Sequence, residues 1–245
     1  MKIFAHRGAS GEYPENTLLA FRQAIEQGCD GIELDVQYHP SGELILAHDS
    51  FLSDHQMQTQ GISTPCRLQD LPLADVLSMP VGQGQTLCTL KQALAVINGQ
   101  CDVNIEIKPA YLEMANIAQV VDNVSQVIVN SINKRQFKLE QLIVSSFNHQ
   151  IIHQIKQKLP NLKIAALIAS CPQDLMAFTN TLDLYAVNMA VDCTNQAMVD
   201  DAHQRGLLVG VYTVDFSADI KQCQHWQVDF IFSNYPLQAR QFSLS

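Results

Sequence analysis

Short apolar runs rich in β-branched residues recur at a nearly constant interval through the second half of the chain. They begin at residues 142, 163, 184, 207 and 228, so that successive starts lie 21, 21, 23 and 21 residues apart. Each interval has room for one strand, one helix and two short loops. Strands that alternate with helices at this pitch are typical of a parallel sheet.

The first half predicts three further strands and one clearly marked helix. The strands cover residues Lys2–His6, 31–37 and 102–108. The helix covers residues 17–27, with Asn16 expected as its N-cap and Gly28 just beyond its C-terminus. Three strands added to five make eight, the number in a closed (β/α)8 TIM barrel. The length of 245 residues suits one such α/β domain over residues 1–245.

One segment breaks the alternation of strand and helix. Residues 43–47 have the pattern of a strand, but only the turn-like residues 39–42 separate them from the strand at 31–37. A parallel crossover needs more chain than this, so we expect an antiparallel hairpin arm. Irregular polar chain follows, with a short helix near residues 73–79, and the whole insertion covers about residues 38–85. Such long excursions in a compact domain usually serve function.

Composition narrows the class of protein. Hydrophobic residues make up 47% and charged residues 16%, which is typical of a globular chain. The net charge of −9 disfavours nucleic acid as a partner.

The seven cysteines contain no C-x-x-C pair, so we expect reduced thiols. The N-terminus lacks the apolar core of a signal peptide and no apolar run is long enough to cross a bilayer, which predicts a cytoplasmic protein without stable membrane insertion.

Alternation along the second and third predicted strands places acidic side chains inside the barrel. If the apolar positions face the helices, Glu33 and Asp35 point inward, and Glu106 and Lys108 do the same on the next strand. Carboxylates at close range raise one another's pKa unless a cation neutralises them. Oxygen ligands favour a hard ion, Mg²⁺ or Ca²⁺. The alternative is an ion-pair network with Lys108.

Two histidines follow strands at the end of the barrel where active sites are found. His6 ends the first strand and precedes Arg7 and Gly8, which place a guanidinium and a permissive backbone at the barrel mouth. His48 closes the antiparallel arm and brings a second imidazole to the same rim. We expect surface or structural roles for the remaining histidines, which are His39, His55, His149, His153, His203 and His225.

Several blocks of the chain together resemble the glycerophosphodiester phosphodiesterases. The blocks are HRGASGEYPENTLLAF (6–21), GCDGIELDVQYHPSGELILAHD (28–49), TLCTLKQAL (86–94), NIEIKP (104–109), SSF (145–147), AHQRGLLVGVYTVD (202–215) and VDFIFSNYP (228–236). They run in the family's order from one end of the chain to the other. The resemblance implies a barrel related to phosphatidylinositol-type phospholipases C that hydrolyses glycerophosphodiesters, such as glycerophosphocholine and glycerophosphoethanolamine, to sn-glycerol 3-phosphate and an alcohol.

The resemblance also implies a role for each matching residue. The family's metal ligands correspond to Glu33, Asp35 and Glu106, its acid–base pair to His6 and His48, and its phosphate contacts to Arg7 and Lys108. One divalent cation, Mg²⁺ or Ca²⁺, is therefore expected. By analogy with the related phospholipases, we expect His6 as the base and His48 as the acid. The nucleophile is either the neighbouring glycerol hydroxyl, which would give a cyclic phosphate, or water.

Several positions leave alternatives open. Phe147 and Tyr212 either line the substrate site or only pack, and lining is the prediction. The pair Glu15 and Asn16 either caps the first helix or holds polar groups of the site. Asp215 stands where the family usually has asparagine. The rival functions are a lysophospholipase D-like or C-like enzyme of the same barrel group and a non-catalytic phosphodiester-binding protein.

Overall fold

A closed parallel barrel forms the centre of the computed structural model, which describes residues 1–59, 61–108 and 114–244. The strands are β1 (Lys2–His6), β2 (Gly31–Tyr38), β3 (Leu44–Leu46), β4 (Pro80–Gly82), β5 (Gln85–Thr86), β6 (Asp102–Ile107), β7 (Leu142–Ser146), β8 (Lys163–Ile168), β9 (Ala186–Ala190), β10 (Leu208–Tyr212) and β11 (Phe230–Ser233). Eight of them pair in parallel in the order β1, β2, β6, β7, β8, β9, β10, β11, and β11 returns to β1. The predicted TIM barrel is confirmed.

Helices surround this barrel. They are α1 (Leu18–Glu26), α2 (Asp54–Thr59), α3 (Leu73–Leu77), α4 (Leu90–Ile97), α5 (Met114–Asn133), α6 (His149–Lys158), α7 (Gln196–Gln204), α8 (Ser217–His225) and α9 (Pro236–Ser243). Within the described ranges, none of the helices combines the length and apolar character needed to cross a membrane. Pro109, which ends one of the motifs, lies outside the described residues.

The expectation of a helix in every interval is wrong between β8 and β9. The only helical segment in that connection, all of which is described, is the short 3₁₀ turn Ala177–Thr181. Side chains there bond to the backbone: the Thr179 hydroxyl donates to the Met176 carbonyl (2.8 Å), and Asp201 accepts from the Met176 amide (2.8 Å). Bonds of this kind compete with the regular helical ladder.

The predicted N-cap of the first helix is also wrong by one residue. The Thr17 side chain accepts from the Ala20 amide and caps α1, whereas Asn16 adopts φ 56° and turns its side chain toward β2. Gly28 lies just beyond the helix with φ 74°, as expected for a residue that glycine suits best. Because Asn16 does not cap the helix, its side-chain amide can bond to Asp35 inside the barrel.

The two faces of β2 separate the apolar packing from the polar interior. Ile32, Leu34 and Val36 are fully buried against a core that includes Phe21 of α1 and Leu94 of α4. This outward packing directs the alternate side chains of β2 into the barrel.

Aromatic side chains close the interior of the barrel on the amino-terminal side of His6. Phe4, Phe230 and Phe232 form a cluster with ring centroids 5.4 to 5.6 Å apart. Polar inward-facing groups are thereby confined toward the carboxyl ends of the strands, where barrel enzymes keep their active sites.

The insertion after β2 has more structure than its irregular sequence predicts. β3 pairs antiparallel with β2, with Val36 opposite Leu46, which confirms the hairpin arm, and α3 confirms the short helix. The expectation of irregular chain elsewhere is wrong, because α2 and the β4–β5 hairpin also form. A separate apolar cluster supports them, and it consists of Ile45, Ala47, Leu52, Leu68, Val76, Met79 and Leu87. A single domain over residues 1–245 stays a prediction.

The outward face of β2 gives a direct test of this arrangement. Replacing buried Leu34 by Ala should lower the free energy of unfolding by about 2–5 kcal/mol, because the lost side chain leaves a cavity between sheet and helices. Urea denaturation measures the change. The matched control is Leu237→Ala at a position 44% exposed, where a change within about 0.5 kcal/mol is expected. A loss below about 1 kcal/mol in Leu34→Ala would contradict the packing described here.

Candidate active site

Three carboxylates meet inside the barrel mouth. Glu33 and Asp35 project from β2, and Glu106 projects from β6, where its Cα lies opposite that of Asp35. One oxygen from each lies within 4.8 Å of the others, and all three residues are buried. The structure thus brings together the three acidic residues that strand alternation placed inside.

Two cations are packed against this cluster. Lys108 Nζ lies 2.9 Å from Glu106 Oε1 and 3.3 Å from Asp35 Oδ1. Arg7 Nε lies 3.1 Å from Asp35 Oδ2. Asp35 therefore contacts both cations. The alternative of an ion-pair network is realised for two of the three carboxylates.

Glu33 is left out of these ion pairs. Its Oε2 accepts from the Arg7 backbone amide (2.9 Å), while its Oε1 is buried with no hydrogen-bond partner among the residues that the structure describes. Burial, followed by repulsion from Asp35 and Glu106, raises the pKa of Glu33 well above its ordinary value. The charge of Arg7 and the hydrogen bond from its amide lower the pKa of Glu33, but burial and the two neighbouring carboxylates outweigh them.

The other two carboxylates respond to their surroundings in opposite directions. Burial and the nearby Asp35 raise the pKa of Glu106. Burial also disfavours the Asp35 carboxylate, but the attraction of Lys108 and Arg7 outweighs that cost and lowers its pKa. The donor set consists of carboxylate oxygens, and Glu33 Oε1 has neither a hydrogen bond nor an ion pair in the described part of the chain, so these residues fit a hard divalent cation.

The chain turns sharply between β1 and α1 to place Arg7. Arg7 has φ 58°, a left-handed conformation that is uncommon for a residue other than glycine, and Gly8 follows with φ 81°. A Cβ at Gly8 would lie 2.8 Å from the backbone of Ala20, so a glycine is needed at this point. The turn directs the Arg7 amide at Glu33 and its guanidinium at Asp35. Backbone strain of this kind is typical of functional sites.

His6 lies beside the carboxylates at the end of β1. Its Nε2 is 3.9 Å from Glu33 Oε2, and its Nδ1 is 2.8 Å from Asn234 Oδ1. Burial, reinforced by the charge of Arg7, lowers the pKa of His6 to about 4. The imidazole is therefore neutral near pH 7 and keeps one nitrogen able to accept a proton.

His48 lies at the rim, on the arm that β3 adds to the barrel. The Ala47 amide donates to the Asp35 carbonyl (3.2 Å), and Gln37 Nε2 donates to the His48 carbonyl (3.0 Å). The imidazole Nδ1 lies 2.9 Å from Asp49 Oδ1, and the side chain is 35% exposed. Beside it opens a cleft of about 660 Å³ between the barrel rim and the insertion.

Phe147 and Tyr212 form a separate aromatic pair at the same end of the barrel. Their ring centroids are 6.2 Å apart at an angle of 88°, and the Tyr212 hydroxyl donates to the Ile168 carbonyl (2.9 Å). Phe147 is one of the exposed large hydrophobic residues. Their role in lining the substrate site stays a prediction.

Sequence reasoning left the functions of two polar groups undecided. The Asn16 amide donates to Asp35 Oδ2 (2.9 Å) and accepts from the Asp35 backbone amide (3.0 Å), so it holds a carboxylate of the cluster. Glu15 accepts from the Arg7 guanidinium (2.8 Å). Glu15 and Asn16 therefore hold polar groups of the site and do not cap the first helix.

Asn234 was not recognised as a contact of His6 from the sequence. It lies one residue beyond β11, in the final motif of the chain, and it reaches His6 only because β11 closes the barrel against β1. The signal in the sequence that could have indicated it is the polar pair Ser233 and Asn234 at the carboxyl end of a predicted barrel strand.

The fold and this site define a barrel enzyme suited to an anionic substrate. The model of the glycerophosphoryl diester phosphodiesterase family matches residues 6–238, and the chain therefore belongs to that family. The sequence-based assignment to this family of phosphoric diester hydrolases is confirmed.

Individual relatives agree with the family match. A glycerophosphodiester phosphodiesterase of Caldanaerobacter subterraneus subsp. tengcongensis is 29% identical over 239 residues, covering 96% of this chain and 94% of the relative. One from Bacillus altitudinis is 27% identical over 245 residues, covering 97% and 96%. The chain thus matches these relatives over nearly their full lengths.

Solved structures show the same fold. An Oleispira antarctica phosphodiesterase in complex with the product sn-glycerol-3-phosphate superimposes with a TM-score of 0.87 at 24% identity, covering 100% of this chain and 97% of that one. A glycerophosphodiester phosphodiesterase from Parabacteroides distasonis gives 0.81 at 19% identity, covering 99% and 96%. At these identities, the likeness supports the fold.

The carboxylate cluster predicts that a divalent cation stabilises the protein in a pH-dependent way. Without the cation, ionising Glu33 above its ordinary pKa of 4.5 disfavours the folded state, because the folded protein holds that proton more tightly than the unfolded chain. Excess Mg²⁺ or Ca²⁺ should therefore raise the unfolding temperature by about 5 °C or more at pH 8, and by less at pH 5.

Thermal unfolding with a chelator and with each metal measures this effect. Glu33→Gln should lose most of the metal-induced shift, whereas Glu26→Gln on the exposed end of α1 should keep it. Unfolding temperatures that do not respond to either metal at pH 8 would argue against a cation site at these carboxylates.

Proposed function

We propose that this protein hydrolyses glycerophosphodiesters, such as glycerophosphocholine and glycerophosphoethanolamine, to sn-glycerol 3-phosphate and an alcohol. The observation that carries the proposal is the meeting of Glu33, Asp35 and Glu106 with two cations and His6 in one barrel mouth. The glycerophosphodiester phosphodiesterases that the chain matches over nearly their full lengths support it, as does the sn-glycerol-3-phosphate bound to the Oleispira antarctica protein.

Three carboxylates would hold one divalent cation, Mg²⁺ or Ca²⁺, in this proposal. Glu33 Oε1, which is buried and has no hydrogen-bond partner among the described residues, supports this assignment, since leaving such an oxygen without a partner is costly. When bound, the cation would act as a Lewis acid on the phosphoryl oxygens and orient the diester. Asn16 would keep Asp35 in place through its two hydrogen bonds.

The cationic side chains would neutralise the phosphate. Arg7 and Lys108 already lie within 3.3 Å of Asp35, so both present positive charge at the cluster. Phosphodiester cleavage develops charge on the phosphoryl oxygens, and fixed positive groups in a partly buried site stabilise that charge. These local charges explain how a chain of net charge −9 accepts an anionic substrate.

Two imidazoles would move the protons. His6 is neutral and buried beside the carboxylates, so its unprotonated nitrogen is suited to take the proton of the attacking oxygen. Asp49 lies 2.9 Å from His48 Nδ1, and when both ring nitrogens carry a proton the Nε2 proton would be available to the departing alcohol. The cleft beside His48 offers that alcohol a place to lie.

A coupled assay for glycerol 3-phosphate over a panel of glycerophosphodiesters tests the proposed reaction. Activity should disappear in excess chelator and return with Mg²⁺ or Ca²⁺, because the carboxylates and the phosphate both need the cation. Lysophosphatidylcholine belongs in the panel, since preferred turnover of it would favour the lysophospholipase-like reading. Full activity in excess chelator would show that the metal assignment is wrong, and tight binding without turnover would indicate a binding protein.

The histidine roles have their own test. His6→Ala and His48→Ala should each lower kcat by roughly 10²–10⁴-fold, the usual effect of removing a general acid or base. Both variants should keep the metal-induced rise in unfolding temperature, since neither histidine is a proposed ligand. His153→Ala, at an exposed position on α6, is the matched control and should leave kcat unchanged. A near-native kcat in either variant would remove that histidine from the mechanism.

A further inference from the structure

A chain of hydrogen bonds runs behind His6 from the loop that follows β10. Asp215 accepts three of them: from the Asn234 amide side chain at Oδ2 (2.6 Å), and from the Asn234 backbone amide (2.8 Å) and the Ser233 hydroxyl (2.9 Å) at Oδ1. Asn234 Oδ1 in turn lies 2.8 Å from His6 Nδ1. The carboxylate is thus connected to the imidazole through a single amide.

The chemistry of these groups sets the direction of every bond. An ionised carboxylate only accepts, so the nitrogen of the Asn234 amide must face Asp215 and its oxygen must face His6. That oxygen also only accepts, so the proton of the neutral imidazole lies on Nδ1. The remaining nitrogen, Nε2, then presents its lone pair toward the carboxylate cluster, 3.9 Å from Glu33 Oε2.

Ser10 connects the same groups from the other side. Its hydroxyl lies 2.8 Å from Asn234 Oδ1 and 2.7 Å from the His6 carbonyl, and both of these oxygens are acceptors. A reversed Asn234 amide would place its oxygen against the Asp215 carboxylate, where neither group has a proton to donate, so that hydrogen bond would be lost. The arrangement therefore admits one orientation of the amide.

We propose that Asp215 is a positioning residue that, through Asn234, holds His6 in the tautomer with its proton on Nδ1 and leaves Nε2 free to accept a proton from the attacking oxygen. The inference rests on the proposed role of His6 as a base. Neither Asp215 nor Asn234 contacts the carboxylate cluster through any hydrogen bond of the described residues, so their effect on turnover is transmitted through the imidazole.

The network predicts that the two side chains can exchange places. In Asp215→Asn alone, two amides meet, Asn234 turns its oxygen to the new donor, and its nitrogen faces His6 Nδ1. In the double variant Asp215→Asn/Asn234→Asp, the amide at 215 still accepts at Oδ1 and donates to the carboxylate at 234, which accepts from His6. Every bond of the original network is thereby retained.

Nitrogen NMR of the His6 ring reads the tautomer without depending on activity. In ¹⁵N-labelled protein at pH 8, with the His6 signals assigned by their absence in His6→Ala, the wild type should show the proton on Nδ1. Asp215→Asn should move it to Nε2, and the double variant should return it to Nδ1. An unchanged Nδ1 proton in Asp215→Asn overturns the proposal, whatever its activity.

Steady-state kinetics supplies the second readout. Asp215→Asn should lower kcat roughly 100-fold with KM within about threefold, and the double variant should recover kcat to within about threefold of wild type. Asp229→Asn is the matched control, since Asp229 also accepts from a histidine (His203) and a backbone amide, and it should keep wild-type kcat. A folded double variant that stays inactive overturns the proposal.

Two further outcomes remain informative. If Asp215→Asn does not fold, Asn234→Leu keeps the backbone amide of residue 234 on Asp215 and should show the same loss of kcat; near-native kcat there overturns the proposal. If the wild-type protein turns over no glycerophosphodiester, the proposed function fails, while the NMR comparison still decides whether Asp215 sets the tautomer.

Discussion

The repulsion among three buried carboxylates is the constraint on which the rest of this structure depends. Glu33, Asp35 and Glu106 converge within 4.8 Å inside the barrel, where low polarity strengthens every charge interaction. Lys108 and Arg7 compensate only part of that charge. Negative charge therefore remains at the site, and a divalent cation would neutralise it. The surrounding fold keeps the three carboxylates close together despite their repulsion.

Packing on both faces of the sheet holds the carboxylates in place. Apolar residues on the outer face of β2 pack against α1 and α4. Because successive side chains of a strand point to opposite faces, the alternate polar side chains of β2 point into the barrel. The phenylalanines inside the barrel confine those polar groups to the carboxyl ends of the strands. In β2, the outward side chains thus stabilise the fold and the inward side chains form the site.

Local patterns predicted those parts of the molecule that depend on periodicity. The eight strands, the hairpin arm and the inward direction of the carboxylates follow from alternation and spacing, and the structure shows them all. Elements that depend on side-chain bonds were predicted less well. Thr17 rather than Asn16 caps α1, because the Asn16 amide bonds to Asp35 on another strand. The insertion gained α2 and β4–β5 from apolar contacts among residues distant in sequence.

The sequence by itself determined the barrel, the family and the set of chemical groups, since hydrophobic period and motif order are properties of the linear chain. Only the tertiary structure decided which groups meet. Closure of β11 against β1 brings Asn234, 228 residues away, to His6, and Asp215 sets the direction of that amide from a third segment. Contacts between distant segments arise from how the barrel closes, and no local pattern records the angle or register of that closure.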